Sequence, residues 1–380
     1  MRRAALLFAA FVAVAGPARA QSDPTQSARQ AMALLEEASG ALDAADGAGD
    51  RVAALTQTVQ AYEAGLAALR EGLRQARVRE AAIDGGFRAE NERLAQLLGV
   101  LQAIEAAPEP HLLLHPQGPV GTARTGMILS EVTPALSAEA RRLRAALQEV
   151  ALLRALQESA VDTLESGLTG AQRARTELSQ AVSNRTDLPR RFTTDQEAME
   201  NLIATADTLE SFASGLMSAT IEDTSVSIAN PDFTDAQGTL ELPVLGRIIR
   251  RMDEADAAGV RRPGWVIATR PLTLVTLPWP ATIRYLGPLL DYGQVAIVEP
   301  GEDYLLVFAG LGQLFGEVGE VLPRGAPIGL MGGAAPSDPQ AFLISNDPAS
   351  GAEANQTLYL ELRHEGEPVD PAEWFAVSGD

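Results

Sequence analysis

The sequence predicts an α+β multidomain protein: an N-terminal antiparallel coiled-coil helical hairpin, then a C-terminal all-β domain. Three observations predict it. Apolar residues follow a heptad from Val52 to Ile104. A second apolar seam runs from Leu136 to Val182, beyond a proline-rich break. From Gly238 onward, short β-prone runs alternate with Gly and Pro.

Residues 1–20 read as a cleavable export signal. Met1-Arg2-Arg3 is cationic, Ala4 to Ala15 is apolar, and Ala18-Arg19-Ala20 has the small-x-small pattern of a cleavage site. That apolar run is too short to span a bilayer. No later segment is long and apolar enough, so the chain is expected to be periplasmic and not membrane-spanning. It contains no cysteine, which excludes disulfides and thiolate metal sites. A formal net charge of −20 argues against a nucleic-acid partner and against an electrostatic grip on anionic lipid.

Residues 21–188 carry the hairpin, with helices expected over about 25–106 and 127–185. Val52, Leu55, Val59, Tyr62, Leu66, Leu69 and Leu73 open the first seam, which continues through Ile83 and Phe87 to Ile104. Alternating steps of three and four keep one stripe facing a partner helix. Glu80 and Glu90 interrupt the stripe, and Gly47, Gly49, Gly85 and Gly86 are points where a rod bends or frays. Pro108, Pro110, Pro116 and Pro119 end the first helix. The second seam, with Leu143, Leu147, Leu164, Leu168 and Leu178, slips near Arg154 and Gln157. An antiparallel hairpin joins the two seams most simply, and a parallel homodimer through the first helix is the alternative. His111 and His115 have the i, i+4 spacing of helical metal ligands, but they lie among prolines and lack the glutamate of a metalloprotease helix.

Residues 189–237 hold a separate amphipathic helix over about 195–217 and a polar tether. Thr194 and Glu197 form a capping box, and Met199, Leu202, Leu209, Phe212 and Leu216 share one face. That stripe packs either on the hairpin or, reversibly, on the C-terminal domain.

In residues 238–380 the blocks Gly264-Trp265-Val266-Ile267-Ala268, Asp291-Tyr292-Gly293-Gln294-Val295, Phe308-Ala309-Gly310-Leu311, Gly325-Ala326-Pro327-Ile328-Gly329 and Leu358-Tyr359-Leu360-Glu361-Leu362-Arg363 come in the order of the LytM (peptidase M23, lysostaphin-type) domain and resemble it. Glu365-Gly366-Glu367-Pro368-Val369-Asp370-Pro371 is similar to its closing turn. With the leader and coiled coil ahead, the chain resembles the EnvC-type murein hydrolase activators.

Active LytM peptidases hold zinc through two histidines and an aspartate, with two further histidines around the bound water. The resemblance places those positions at Arg262, Val266, Gly310, Thr357 and Tyr359. An arginine and a valine offer zinc no lone pair, and His364, after the last matching strand, is the domain's only histidine. The resemblance therefore implies a non-enzyme without cofactor or metal. It implies a vacated cleft that binds a zinc-dependent cell-wall amidase through Val266, Phe308, Tyr359 and Arg363. It also implies docking of the coiled coil on the periplasmic domain of an FtsE–FtsX-type ABC transporter, with peptidoglycan as a further candidate partner, and an autoinhibitory role for helix 195–217. A periplasmic transporter adaptor and a wall-binding scaffold are the competing functions.

Overall fold

The computed structural model describes residues 24–105, 118–185, 196–218, 232–301, 303–334 and 356–377. Helices α1 (Pro24–Asp43), α2 (Ala48–Glu105), α3 (Gly118–Ser183), α4 (Gln196–Thr205) and α5 (Leu209–Ser218) come first. The strands are β1 (Gly246–Arg250), β2 (Trp265–Thr269), β3 (Leu274–Thr276), β4 (Ala281–Pro288), β5 (Gln294–Gly301), β6 (Tyr304–Leu314), β7 (Val321–Leu322), β8 (Pro327–Met331), β9 (Gln356–His364) and β10 (Glu367–Val369). The fold is α+β, with the helices N-terminal to an antiparallel sheet. No helix among the described residues is long and apolar enough to cross a membrane.

Helices α2 and α3 pair antiparallel. Glu63–Arg175 (2.8 Å), Arg79–Glu149 (2.6 Å) and Glu80–Arg154 (2.9 Å) bridge them, residue 63 pairing late in α3 and residues 79 and 80 some twenty to twenty-six residues earlier. Leu66 and Leu73 pack with Leu164 and Ala171, and Val52, Leu55 and Val59 with Ala174, Leu178 and Val182. The two irregularities of the seams face each other. Glu80, which breaks the first heptad, accepts from Arg154 and Gln157, where the second one slips. These contacts lie at the edge of the seam, where exposed ion pairs add little stability but favour the observed register.

The first helix differs from expectation. It is not continuous over 25–106: the chain reverses at residues 44–47, and α1 folds back along α2. Ala54, Thr58, Ala61, Gly65 and Ala68 form a second three-four stripe on α2, whose three alanines are buried. A Cβ on Gly65 would lie 3.6 Å from that of Ala31 on α1. Small residues let the two backbones approach closely, and such a stripe reads as generic helix in the sequence. The other hairpin helix starts at Gly118 rather than near 127, with Pro119 in its first turn, where a missing N–H costs nothing. His111 and His115 lie outside the described residues.

The main path of the sheet runs β1-β2-β9-β6-β5-β4-β7, with β10 on β9 and β3-β8 joined to β6. β1, β7 and β10 went unrecognised in the sequence because they are short or charged. One face of the sheet, with Trp265, Ile267, Ile283, Val298, Phe308 and Leu360, forms the core under Phe233, Leu240, Trp374 and Phe375. Phe233 stacks on Trp374 at 4.5 Å, so residues 233–236, expected in the tether, form a short 3-10 helix built into this domain. The base of the hairpin packs on Leu274, Phe315 and Leu330. Glu63 accepts from both Arg175 and the Leu274 backbone N–H (3.0 Å) at this junction.

Two glycines give a matched test of the packing. A Cβ on Gly170 would lie 2.6 Å from the Tyr62 ring, whereas one on Gly85 meets nothing within 4 Å. Gly170→Ala should lower stability by about 1–3 kcal/mol through overpacking. Gly85→Ala should raise it by up to about 1 kcal/mol through helix propensity. Thermal melts of both variants should shift in opposite directions.

Candidate functional site

Side chains alternate between the two faces of a strand, so the sheet has a second surface. Val266, Tyr285, Val295, Ile297, Leu305, Val307, Ala309 and Tyr359 line it, and all are buried. Antiparallel sheets commonly leave such a face to water. Here α5 covers it. Leu209, Phe212 and Leu216 are 3%, 0% and 1% exposed, with Phe212 edge-on to Tyr285 at 4.8 Å.

The expected single helix over 195–217 is two helices. The chain breaks after Thr205, whose hydroxyl hydrogen-bonds back to the Asn201 carbonyl, and restarts at Thr208, which caps α5 reciprocally with Ser211. The stripe therefore divides. Leu209, Phe212 and Leu216 enter the groove, while Met199 and Leu202 lie half-buried at its margin. The side chain of Leu202 seats over Gly215, where no Cβ would fit. Thr194 lies outside the described residues.

A polar contact holds α5 near its C-terminus, and a polar network of the sheet lies toward its other end. Arg284 donates to the Leu216 carbonyl (2.9 Å) near the C-terminus of α5 and pairs with Glu299 (2.6 Å). A bulge in β4 between Ile283 and Tyr285 accommodates Arg284. Toward the other end, Tyr359 donates to Glu361 (2.6 Å), Glu361 pairs with Arg363, and Arg363 donates to the Gly366 carbonyl.

The positions singled out in the sequence fall as follows. Val266 and Tyr359 are directly opposed on β2 and β9. Gly264 makes room for the Tyr359 ring, which a Cβ there would meet at 2.8 Å. Arg262 lies over the Tyr292 ring (5.8 Å), and Tyr292 packs on Tyr359 (5.7 Å). Gly310 has φ +90°, and a Cβ there would lie 2.5 Å from the Thr357 carbonyl oxygen, so this backbone excludes any side chain at that position. Thr357 is exposed.

Two expectations are corrected. Phe308 does not line the groove: it is fully buried in the opposite core, because its neighbours Val307 and Ala309 take the groove side of β6. Arg363 is not an available cation. It is 1% exposed, held by Glu361 and the Gly366 carbonyl. His364 stacks on Tyr304 at 4.2 Å. The residues missed were Glu361 and Arg284, whose charge in β-prone runs was the available signal.

No family model matches the chain. The uncharacterised protein NMB1333 of Neisseria meningitidis serogroup B is 27% identical over 143 residues, 38% of this chain and 21% of that protein. The chain thus matches about a fifth of that protein's length. Among solved structures, Helicobacter pylori Csd3 is 19% identical over 37% of this chain and 36% of its own, at a TM-score of 0.28. A zinc-containing peptidase from Vibrio cholerae is 16% identical over 35% of this chain and 39% of its own, also at 0.28.

Burial raises Glu361 above the ordinary carboxylate range, Tyr359 and Arg363 pull the other way, and Glu210 on α5 adds to the rise. Burial also raises the Tyr359 hydroxyl, with Glu361 reinforcing it. A carboxyl raised by burial under α5 holds its proton more tightly when α5 is docked. Its favourable contribution is complete below the unperturbed value of 4.5 and is lost as pH rises through the raised value. Amide exchange in α5, corrected for intrinsic rates, should therefore show protection that falls as pH rises through this window. Glu361→Gln should remove that slope, whatever its effect on overall stability.

Proposed function

We propose that this chain is a non-catalytic, exported activator of zinc-dependent peptidoglycan (N-acetylmuramoyl-L-alanine) amidases, built on a degenerate LytM-type domain and restrained by its own α5. One observation carries the reading. The sheet face on which the resemblance places the metal ligands holds Val266, Thr357 and Tyr359 instead, and α5 covers its apolar part. Valine has no lone pair to offer zinc, and the guanidinium of Arg262 would repel the cation. At Gly310 the fold leaves no room for the histidine of an active peptidase.

Uncovered, the face is a strip of Val266, Val295, Ile297, Leu305, Val307 and Tyr359, a composition suited to a protein-binding hot spot. Burial of Leu209, Phe212 and Leu216 stabilises the covered state by roughly 1.5–3 kcal/mol per side chain, before the cost of ordering the arm. A net bias of about 3 kcal/mol holds the open state below ~1%. In this reading the hairpin receives the signal, through the periplasmic domain of an FtsE–FtsX-type transporter, and the freed groove engages the amidase during daughter-cell separation.

Dye release from labelled sacculi tests the proposal with the chain alone, a zinc amidase alone, and both together. The chain alone should release nothing, and the full-length chain should stimulate the amidase weakly. Leu209→Asp with Phe212→Asp should raise stimulation at least tenfold, because a charge buried against this face is costly. Tyr359→Ala in that background should remove it. Dye release by the chain alone with one tightly held zinc, or equal stimulation by the arm variant and the parent, would overturn the reading.

A further inference from the structure

The β1 edge of the sheet differs from the rest of the molecule in charge and in pairing. Among the described residues β1 is an end strand, hydrogen-bonded to β2 alone. Around it stand Arg247, Arg250 and Arg262, in a chain whose net charge is −20. Arg247 opposes Ala268 and Arg250 opposes Val266, so both arginines lie on the groove side of the sheet. The bulge between Ile248 and Arg250 gives these two positions the i, i+2 relation of a regular strand, since their partners on β2 are two residues apart. Of the nearby carboxylates, Glu254 accepts from the Arg251 backbone N–H. Asp256 accepts from those of Ala258 and Val260 while also sensing the charges of Arg250 and Arg262, which leaves Arg247 as the cation of the three least engaged by these loop carboxylates. Ile249 is 42% exposed and Leu245 52%.

An end strand presents main-chain donors and acceptors that another strand can pair with. Proteins commonly blunt such an edge with charge, so a cationic edge repels its own kind and leaves an anionic strand as the complementary occupant. A second copy of this chain is disfavoured, because antiparallel pairing of two β1 strands would bring arginines near arginines. A polyanion without a peptide backbone would meet the arginines but would leave the strand edge and Ile249 unused.

We propose that the outer edge of β1 docks an extended acidic segment of a partner protein, which pairs as a further strand and places carboxylates two residues apart on Arg247 and Arg250. The inference rests on this edge alone and is independent of amidase activation, which the sacculus assay measures separately. The probe is a fluorescent peptide of alternating glutamate and valine, titrated with the full-length chain and followed by anisotropy and amide exchange. It should bind more weakly as salt rises, and it should slow exchange in residues 246–250. Arg247→Glu at the exposed position should weaken binding at least fivefold without changing the melting temperature, and adding Arg250→Glu at the half-buried position should bring the loss to at least tenfold. The proposal is overturned by equal binding of a lysine–valine peptide, by an unaffected double variant, or by binding without protection of β1. It is equally overturned if sacculi, but not the peptide, bind in an arginine-dependent way.

Discussion

The C-terminal domain depends on one constraint: its central strands are apolar on both faces. In β5, β6 and β9 a central run of consecutive residues is buried, whichever way each points. A sheet of this kind needs two covers. The residues around Phe233, Trp374 and Phe375 supply one, and α5 supplies the other. The arm is therefore a layer of the domain rather than an appendage, and moving it opens a surface composed like a core. In the proposed activator that face would be the partner-binding surface, and its apolar composition would favour keeping it closed by default.

The polar groups beneath α5 show why an open state is viable. Arg284 contacts the arm at the Leu216 carbonyl, yet it keeps Glu299 on the sheet as its ion-pair partner. Tyr359, Glu361 and Arg363 hydrogen-bond to one another and to Gly366, all without α5. Undocking exposes these groups to water but strands none of them, which avoids the penalty of breaking a buried pair. Their contribution lies in specificity. A charged cluster at one end and a carbonyl-capping arginine at the other penalise a shifted arm, while the apolar contacts of Leu209 and Phe212 tolerate sliding.

Much of this was legible in the sequence, for reasons that differ by element. The α2–α3 hairpin shows because large apolar residues recur along both helices, and the irregularities at Glu80 and Arg154 turned out to be partners. The return of α1 was illegible. Its contact uses alanine and glycine, which carry little hydropathy contrast in an alanine-rich chain. The arm's apolar stripe was visible, but its break was not, since it depends on local hydrogen bonds of Thr205 and Thr208. At the site, the resembling blocks placed Val266 and Tyr359 in one groove, while their direct opposition on β2 and β9 depends on strand pairing that the blocks do not give. Phe308 was misplaced because a motif locates a strand without fixing which alternate residues face which side. Arg363 is unavailable because Glu361, two residues away on the same face of β9, holds it.

The connections on either side of the arm decide how it can move. The end of α3 is fixed to the β-domain by Arg185–Glu320 at 3.4 Å, and the chain is fixed again where Phe233 stacks on Trp374. Residues 186–195 precede the arm and 219–231 follow it, with contour lengths of at most about 35 and 45 Å at ~3.4 Å per residue. In the proposed activator, connections of those lengths would let the arm leave the groove while both anchors stay in place. They would also hold a released arm at an effective concentration on the order of millimolar. An untethered competitor for the groove therefore faces a rival that is always present, and affinity alone displaces it poorly. Input through the helices acts differently. Rotating the hairpin base against Leu274 and Phe315 would disturb Glu63, which joins α2 to α3 and to β3, and would shift the anchor at Arg185. A displaced anchor strains the docked arm but not the undocked one, and that differential effect is what moves an equilibrium between the two.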